Sequence, residues 1–203
     1  MAKRESTFLN MVVTLFAVTF IAAAALGFVY DLTKDAIAES KIKAQSEAIK
    51  KVLPEFDELG ASFKAVTSDA GDSLVIFPAY KNGTRVGTAI ITYTNNGFSG
   101  YISVMAGIDS SGNLSGYEVL EHAETPGLGS KMVVWFNNED KPNQYIIGKN
   151  SQTHSFKVTK DGGDFDAITA STITSRAFLE AIERAFKVYE QNVNTTAAKA
   201  AVQ

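Results

Sequence analysis

The chain has 203 residues, 45% of them hydrophobic, with a formal net charge of −3 and a pI of about 5.5. That is room for one ordinary domain plus accessory segments, and the absence of a basic surplus argues against nucleic acid as a partner. There is no cysteine and there are two histidines, His122 and His154, so disulfides, thiolate metal sites and iron–sulfur clusters drop out, a zinc site is poorly supported, and redox chemistry would need an organic cofactor.

Residues 1–7 read as a short cytoplasmic N-terminus. Phe8 to Tyr30 follows without a charge, and roughly 20 apolar residues suffice to cross a bilayer. Lys3 and Arg4 ahead of it place the N-terminus in the cytoplasm and the remainder outside, by the positive-inside tendency. A cleaved signal peptide is the competing reading, because Ala22 to Ala25 offers small residues for a cut. The apolar run continues through Leu26, Phe28 and Val29, longer than a usual signal core, which favours an uncleaved anchor. Residues 31–60 read as a stalk helix and linker. Leu32, Ala36, Ile42, Ile49 and Val52 share one side of that helix, its other faces are charged, and Pro54 ends it.

From residue 61 to 193 the pattern is that of an extracytoplasmic α+β domain: an antiparallel sheet with packed helices. Strands are expected at Leu74–Lys81, Thr84–Thr94, Tyr101–Ile108 and Leu114–Glu121. The turns between them are Asn82-Gly83, Asn95-Asn96-Gly97 and the run Asp109 to Asn113. A short helix is expected over Ser130–Phe136 and one more strand over Phe156–Thr159. A final amphipathic helix spans Thr172–Val193, with Ile173, Ala177, Phe178, Ala181, Ile182, Ala185, Phe186 and Tyr189 on its buried stripe. Residues 194–203 read as a flexible tail.

Two segments stand out from this scaffold. In Asp166-Ala-Ile-Thr-Ala-Ser-Thr-Ile-Thr-Ser175, hydroxyls at Ser171, Thr172, Thr174 and Ser175 crowd the start of the last helix. Free N–H groups and the helix dipole make such a start an anion site; ordinary capping also explains Ser and Thr there. In His122-Ala-Glu-Thr-Pro-Gly-Leu-Gly-Ser130, two glycines let the backbone approach a ligand closely, and a plain connection is the alternative.

Taken together, Glu124-Thr-Pro-Gly-Leu-Gly129 and Thr169-Ala-Ser-Thr172 resemble the FMN-binding domain family shared by the G subunit of the Rnf electron-transport complex and the C subunit of the Na+-translocating NADH:quinone reductase. The resemblance runs through anchor, stalk, loop and final helix, and the chain length favours the Rnf protein. Where the family commonly shows Ser-Gly-Ala-Thr, this chain has Thr169, Ala170, Ser171 and Thr172. The resemblance implies a single-pass protein of the inner membrane that carries FMN on Thr172 through a phosphoester bond. A threonine hydroxyl is a weak nucleophile and no base lies near it in sequence, so a separate flavin transferase is implied for maturation. Ser171, Thr174, Ser175 and Thr169 are then expected near the phosphate. Glu124, Thr125, Gly127, Leu128 and Gly129 are expected against the ring, with Lys131 either facing an anionic flavin or lying on the surface. The implied role is electron relay within an ion-translocating ferredoxin:NAD oxidoreductase, among other membrane subunits. Membership of a quinone reductase and a freestanding membrane-tethered flavoprotein are the alternatives.

Overall fold

A computed structural model describes residues 7–66 and 73–200, with side chains described as far as Asn192. Residues 1–6 of the expected cytoplasmic N-terminus, and 201–203 of the expected tail, lie outside the described residues. The chain divides into two compact units, one ending at Ala44 and one beginning at Gln45.

The first unit is helical. Helix α1 (Phe8–Val52) runs for 45 residues, so the apolar segment and the expected stalk are one uninterrupted helix. It is long and apolar enough to cross a membrane, and its apolar stretch is exposed throughout. The hydroxyls within it are satisfied locally: Thr14 donates to the Asn10 carbonyl at 2.7 Å and Thr19 to that of Leu15 at 2.9 Å. Local satisfaction of this kind is what a helix in hydrocarbon requires. The predicted stripe is only partly buried. Leu32 and Ile42 are exposed, whereas Ile49 and Val52 are covered.

The second unit is built on six antiparallel strands: β1 (Glu58–Leu59), β2 (Phe63–Val66), β3 (Ser73–Lys81), β4 (Thr84–Gly97), β5 (Gly100–Asp109) and β6 (Leu114–His122). β3 to β6 form a meander in chain order, and β1 and β2 both pair with the outer edge of β3. Turn chemistry sets the register. Asn82 and Gly83 have φ of 50° and 75°, the left-handed pair a two-residue hairpin demands. Asp109 Oδ1 accepts the N–H groups of Ser111 and Asn113 at 2.8 and 2.9 Å and closes the β5–β6 turn. The expected turn at Asn95-Asn96-Gly97 is instead part of β4. The register shifts there, and the chain reverses at Phe98-Ser99 between Gly97 and Gly100.

Both faces of the sheet are covered. On one lies α3 (Thr172–Ala200), whose Phe178, Ile182 and Phe186 join Ile90, Ile102 and Val104 in the main core. Thr92 donates to the Ala181 carbonyl at 2.8 Å and fixes the helix on the strands. The helix continues past Val193, the end expected from the apolar stripe. That stripe also starts later than expected, because Ile173 is 50% exposed. On the opposite face, Ala48, Ile49, Val52 and Leu53 pack on Ala79, Ala89 and Met105. Here backbone meets backbone: a Cβ on Gly116 would stand 2.9 Å from Val52 Cα, and one on Gly107 would overlap the Val52 carbonyl. Ser115 donates to that carbonyl at 2.6 Å.

Between β6 and α3 the chain is mostly irregular. A 3₁₀ turn (Gly129–Lys131) leads into the one-turn α2 (Met132–Trp135), matching the expected short helix, and 3₁₀ turns follow at Pro142–Gln144 and Thr159–Asp161. The strand expected over Phe156–Thr159 does not form. Phe156 and Val158 are buried and Lys157 and Thr159 exposed, which imitates strand alternation, yet the pairing is one parallel bridge from Val158 to Phe165.

Gly107→Ala is expected to destabilise the second unit by about 1–3 kcal/mol, because the new methyl must displace the Val52 backbone. Denaturant unfolding of the purified chain measures this, and an unchanged midpoint would show that the α1 end does not pack there.

Candidate functional site

Three segments converge at the N-terminal end of α3: the Gly97–Gly100 reversal, the loop after β6, and the approach to α3. A cleft of about 330 Å³ lies among them, lined on one side by Phe98, Thr125 and Leu128 and on the other by Ala170, Ser171, Thr172 and Ile173. Its walls are mainly apolar, and its volume lies at the lower end of the range of small-molecule and cofactor sites.

Glu124 holds the segments together. It is 4% exposed, and both of its carboxylate oxygens are engaged. Oε1 accepts the Ser99 N–H at 2.9 Å, and Oε2 accepts the Thr174 hydroxyl at 2.5 Å, a length typical of charge-assisted hydrogen bonds. Glycine makes room for it: a Cβ on Gly97 would stand 2.7 Å from Oε1, and one on Gly129 would collide with Oε2. His122 is structural, its Nδ1 accepting the Glu124 N–H at 3.2 Å. Below the loop, Tyr117 donates to the Met132 carbonyl at 2.9 Å. Burial pushes the Tyr117 phenol far above its usual range, so this donor stays protonated.

The start of α3 is open. Its first intrahelical bond joins the Ser175 N–H to the Ser171 carbonyl at 3.0 Å, which makes Ser171 the N-cap and Thr172 the first helical residue. The Thr172, Ile173 and Thr174 N–H groups therefore lack intrahelical acceptors. Among the described residues, the Ser171 side chain caps none of them. The four hydroxyls that looked alike in the sequence divide into two kinds. Thr174 is committed to Glu124. Ser175 is fully buried, donates to the Ser171 carbonyl at 2.9 Å and accepts the Ile168 N–H at 2.9 Å, so it staples the approach loop. Ser171 and Thr172 make no side-chain hydrogen bond among the described residues; Ser171 is buried, and Thr172 is half-buried at the cleft. One turn on, Arg176 pairs with Asp161 at 2.6 and 2.8 Å and holds that carboxyl below the usual range.

Of the residues singled out in the sequence, Glu124, Thr125, Leu128, Gly129, Ser171, Thr172 and Thr174 line the cleft, whereas Gly127, Lys131, Thr169 and Ser175 do not. Trp135 packs against the core and donates to the Asp166 carbonyl at 2.9 Å. Phe98, Ala170 and Ile173 complete the lining and were not singled out. An aromatic between two glycines at a hairpin tip, and an isoleucine in a hydroxyl-rich helix start, are apolar groups with no core to enter; that was the available signal. Ala170 has φ of 61°, a left-handed conformation natural to glycine and costly for alanine.

The site can take a ligand with an apolar body and an anionic end: apolar walls, an uncapped helix N-terminus, and a carboxylate whose oxygens are already occupied. Residues 97–187 match the family model described as FMN-binding domain, and this range contains all three converging segments. The G subunit of an ion-translocating oxidoreductase complex from Aliivibrio fischeri is 33% identical to the chain, over 92% of each sequence. Counterparts from Vibrio vulnificus and Yersinia pestis are 35% and 34% identical, over 74% of both chains in the first case and 77% and 78% in the second. The chain belongs to this family, the G subunits of ion-translocating oxidoreductase complexes.

Glu124→Gln leaves one oxygen for two donors and is expected to cost about 1–3 kcal/mol, with faster amide exchange at Ser99; unchanged exchange there would contradict the bracing role. Ala170→Gly relieves the left-handed strain at the cost of unfolded-state entropy, and a net gain of up to about 1 kcal/mol is expected in thermal unfolding.

Proposed function

We propose that this chain is an electron-transfer subunit of a membrane-bound, ion-translocating oxidoreductase complex of the Rnf type, and that it carries FMN joined to Thr172 by a phosphoester bond. The observation that carries the covalent assignment is the division of hydroxyls: of the four residues that bear them at the start of α3, Thr172 is the one that is not buried, and it lines the cleft without a side-chain partner among the described residues.

The Thr172, Ile173 and Thr174 N–H groups would hold the phosphate, with the helix dipole adding to the attraction. Leu128, Ile173 and Phe98 would hold the ring and keep water from it, and Thr125 would supply a hydrogen bond. When bound, FMN supplies one- and two-electron chemistry, and the protein supplies orientation and electrostatics. The carboxylate that lines the cleft, Glu124, has both oxygens committed to Ser99 and Thr174, which supports maturation by a separate transferase. In that reaction Thr172 Oγ1 would take the flavin phosphate from FAD, with AMP as the leaving group, and would give up its hydroxyl proton to the transferase or solvent. A covalent link has a physical use outside the cytoplasm: a dissociable cofactor would be lost by mass action where free flavin is scarce. Lys3 and Arg4 before the apolar part of α1 support an N-terminus in the cytoplasm and a flavin domain on the far side of the inner membrane. Other membrane subunits of the complex would be its partners.

Thr172→Ala should give folded, membrane-bound protein without flavin, read as intact mass and in-gel fluorescence after expression in a cell that has the transferase. Because Thr172 follows the N-cap, the loss of stability should stay below about 1 kcal/mol. Flavin still covalently present on this variant would refute the assignment.

A further inference from the structure

A second cavity, of about 290 Å³, opens on the α3 face of the sheet, beside the C-terminal half of that helix. Tyr189 borders it, about 25 Å along α3 from Thr172 at 1.5 Å per residue. Its apolar walls are Phe63, Ile76, Pro78 and Tyr80, from β2 and β3. Two polar residues on β4, Arg85 and Thr88, line it as well. Arg85 is half-buried, with its guanidinium 5.6 Å from the centre of the Tyr189 ring. Its one hydrogen bond is a long contact of 3.5 Å to the Tyr189 hydroxyl, and it meets no carboxylate among the described residues. Thr88 is 4% exposed, and its hydroxyl is the one buried side-chain polar atom without a hydrogen-bond partner among the described residues. Burial removes water from this group, and Thr88 is a residue of the cavity wall.

A planar guanidinium that meets no carboxylate is a carboxylate receptor, because its parallel N–H groups match the two carboxylate oxygens. Leaving a buried hydroxyl unpaired costs stability that a ligand acceptor would restore. We propose that this cavity binds a small amphipathic acid: a carboxylate on Arg85, an aromatic or branched apolar body against Phe63, Ile76 and Pro78, and a second polar atom paired with Thr88. This site shares no residue with the flavin cleft and does not depend on the function proposed above.

The test is a fluorescence titration of the full chain in detergent micelles with 6-hydroxy-2-naphthoate, using empty micelles as the blank. 2-Naphthoate and 2-naphthamide serve as companion probes. Saturable binding is expected, weaker by tenfold or more for Arg85→Gln and, on the unaltered chain, for 2-naphthamide relative to 2-naphthoate. Thr88→Val should weaken the hydroxylated acid several-fold and leave 2-naphthoate unchanged, while Thr172→Ala should bind all three probes normally. No saturation above the micelle blank overturns the proposal. So does equal affinity for the acid and the amide, which needs no variant to measure.

Discussion

The site depends on a buried carboxylate that ties its walls together. Glu124 lies buried between a hairpin tip, a loop and a helix start, and binds one donor from each neighbour, the Ser99 N–H and the Thr174 hydroxyl. A buried carboxylate without such partners would carry a large desolvation penalty, so the three segments come together or Glu124 cannot be buried. Gly97 and Gly129 follow from the same constraint, since a side chain on either would occupy the space of the carboxylate. The motif Glu-Thr-Pro-Gly-Leu-Gly therefore reads as a clamp and a wall: Glu124 and Gly129 make the clamp, Thr125 and Leu128 the wall.

The clamp also decides which hydroxyls remain free. Thr174 is drawn to Glu124, and Ser175 is drawn to the Ser171 carbonyl and the Ile168 N–H. What is left at the cleft is the buried Ser171 and the half-buried Thr172, beside N–H groups that no side chain caps among the described residues. Alanine in a left-handed conformation at 170 shapes the approach to that residue. The sheet that supports this arrangement is committed on both faces, to α3 on one and to the end of α1 on the other. The site itself thus occupies an end of the layered structure, where backbone groups are naturally unpaired.

Much of the scaffold was legible from local chemistry. Asn82-Gly83 and the Asp109–Asn113 run fixed two hairpins, and the α3 stripe identified its buried face from Ala177 onward. Tertiary context overrode local signals elsewhere. Asn95-Asn96-Gly97 has turn composition, yet Asn96 donates to Glu180 at 2.8 Å and the strand continues to Gly97. Phe156 and Val158 alternate like a strand because they plug the core from a loop. Within the site, the two segments were visible as unusual runs, but their division of labour was not. Sequence spacing treats Ser171, Thr172, Thr174 and Ser175 alike, and only their partners separate them. The sequence singles out Glu124 as a residue of the site; the fold adds that, besides lining the cleft, it binds Ser99 and Thr174, 25 residues before it and 50 after it in the chain. The Arg85–Thr88 cavity had no local signature, because its walls come from three strands and a helix.

The most direct measurement is peptide mapping by tandem mass spectrometry of the chain purified from its own cell. The account requires the fragment containing residues 169–175 to carry one riboflavin phosphate, with fragment ions placing it on the side chain of Thr172. An unmodified fragment, or a modification localised to Ser171, would contradict it.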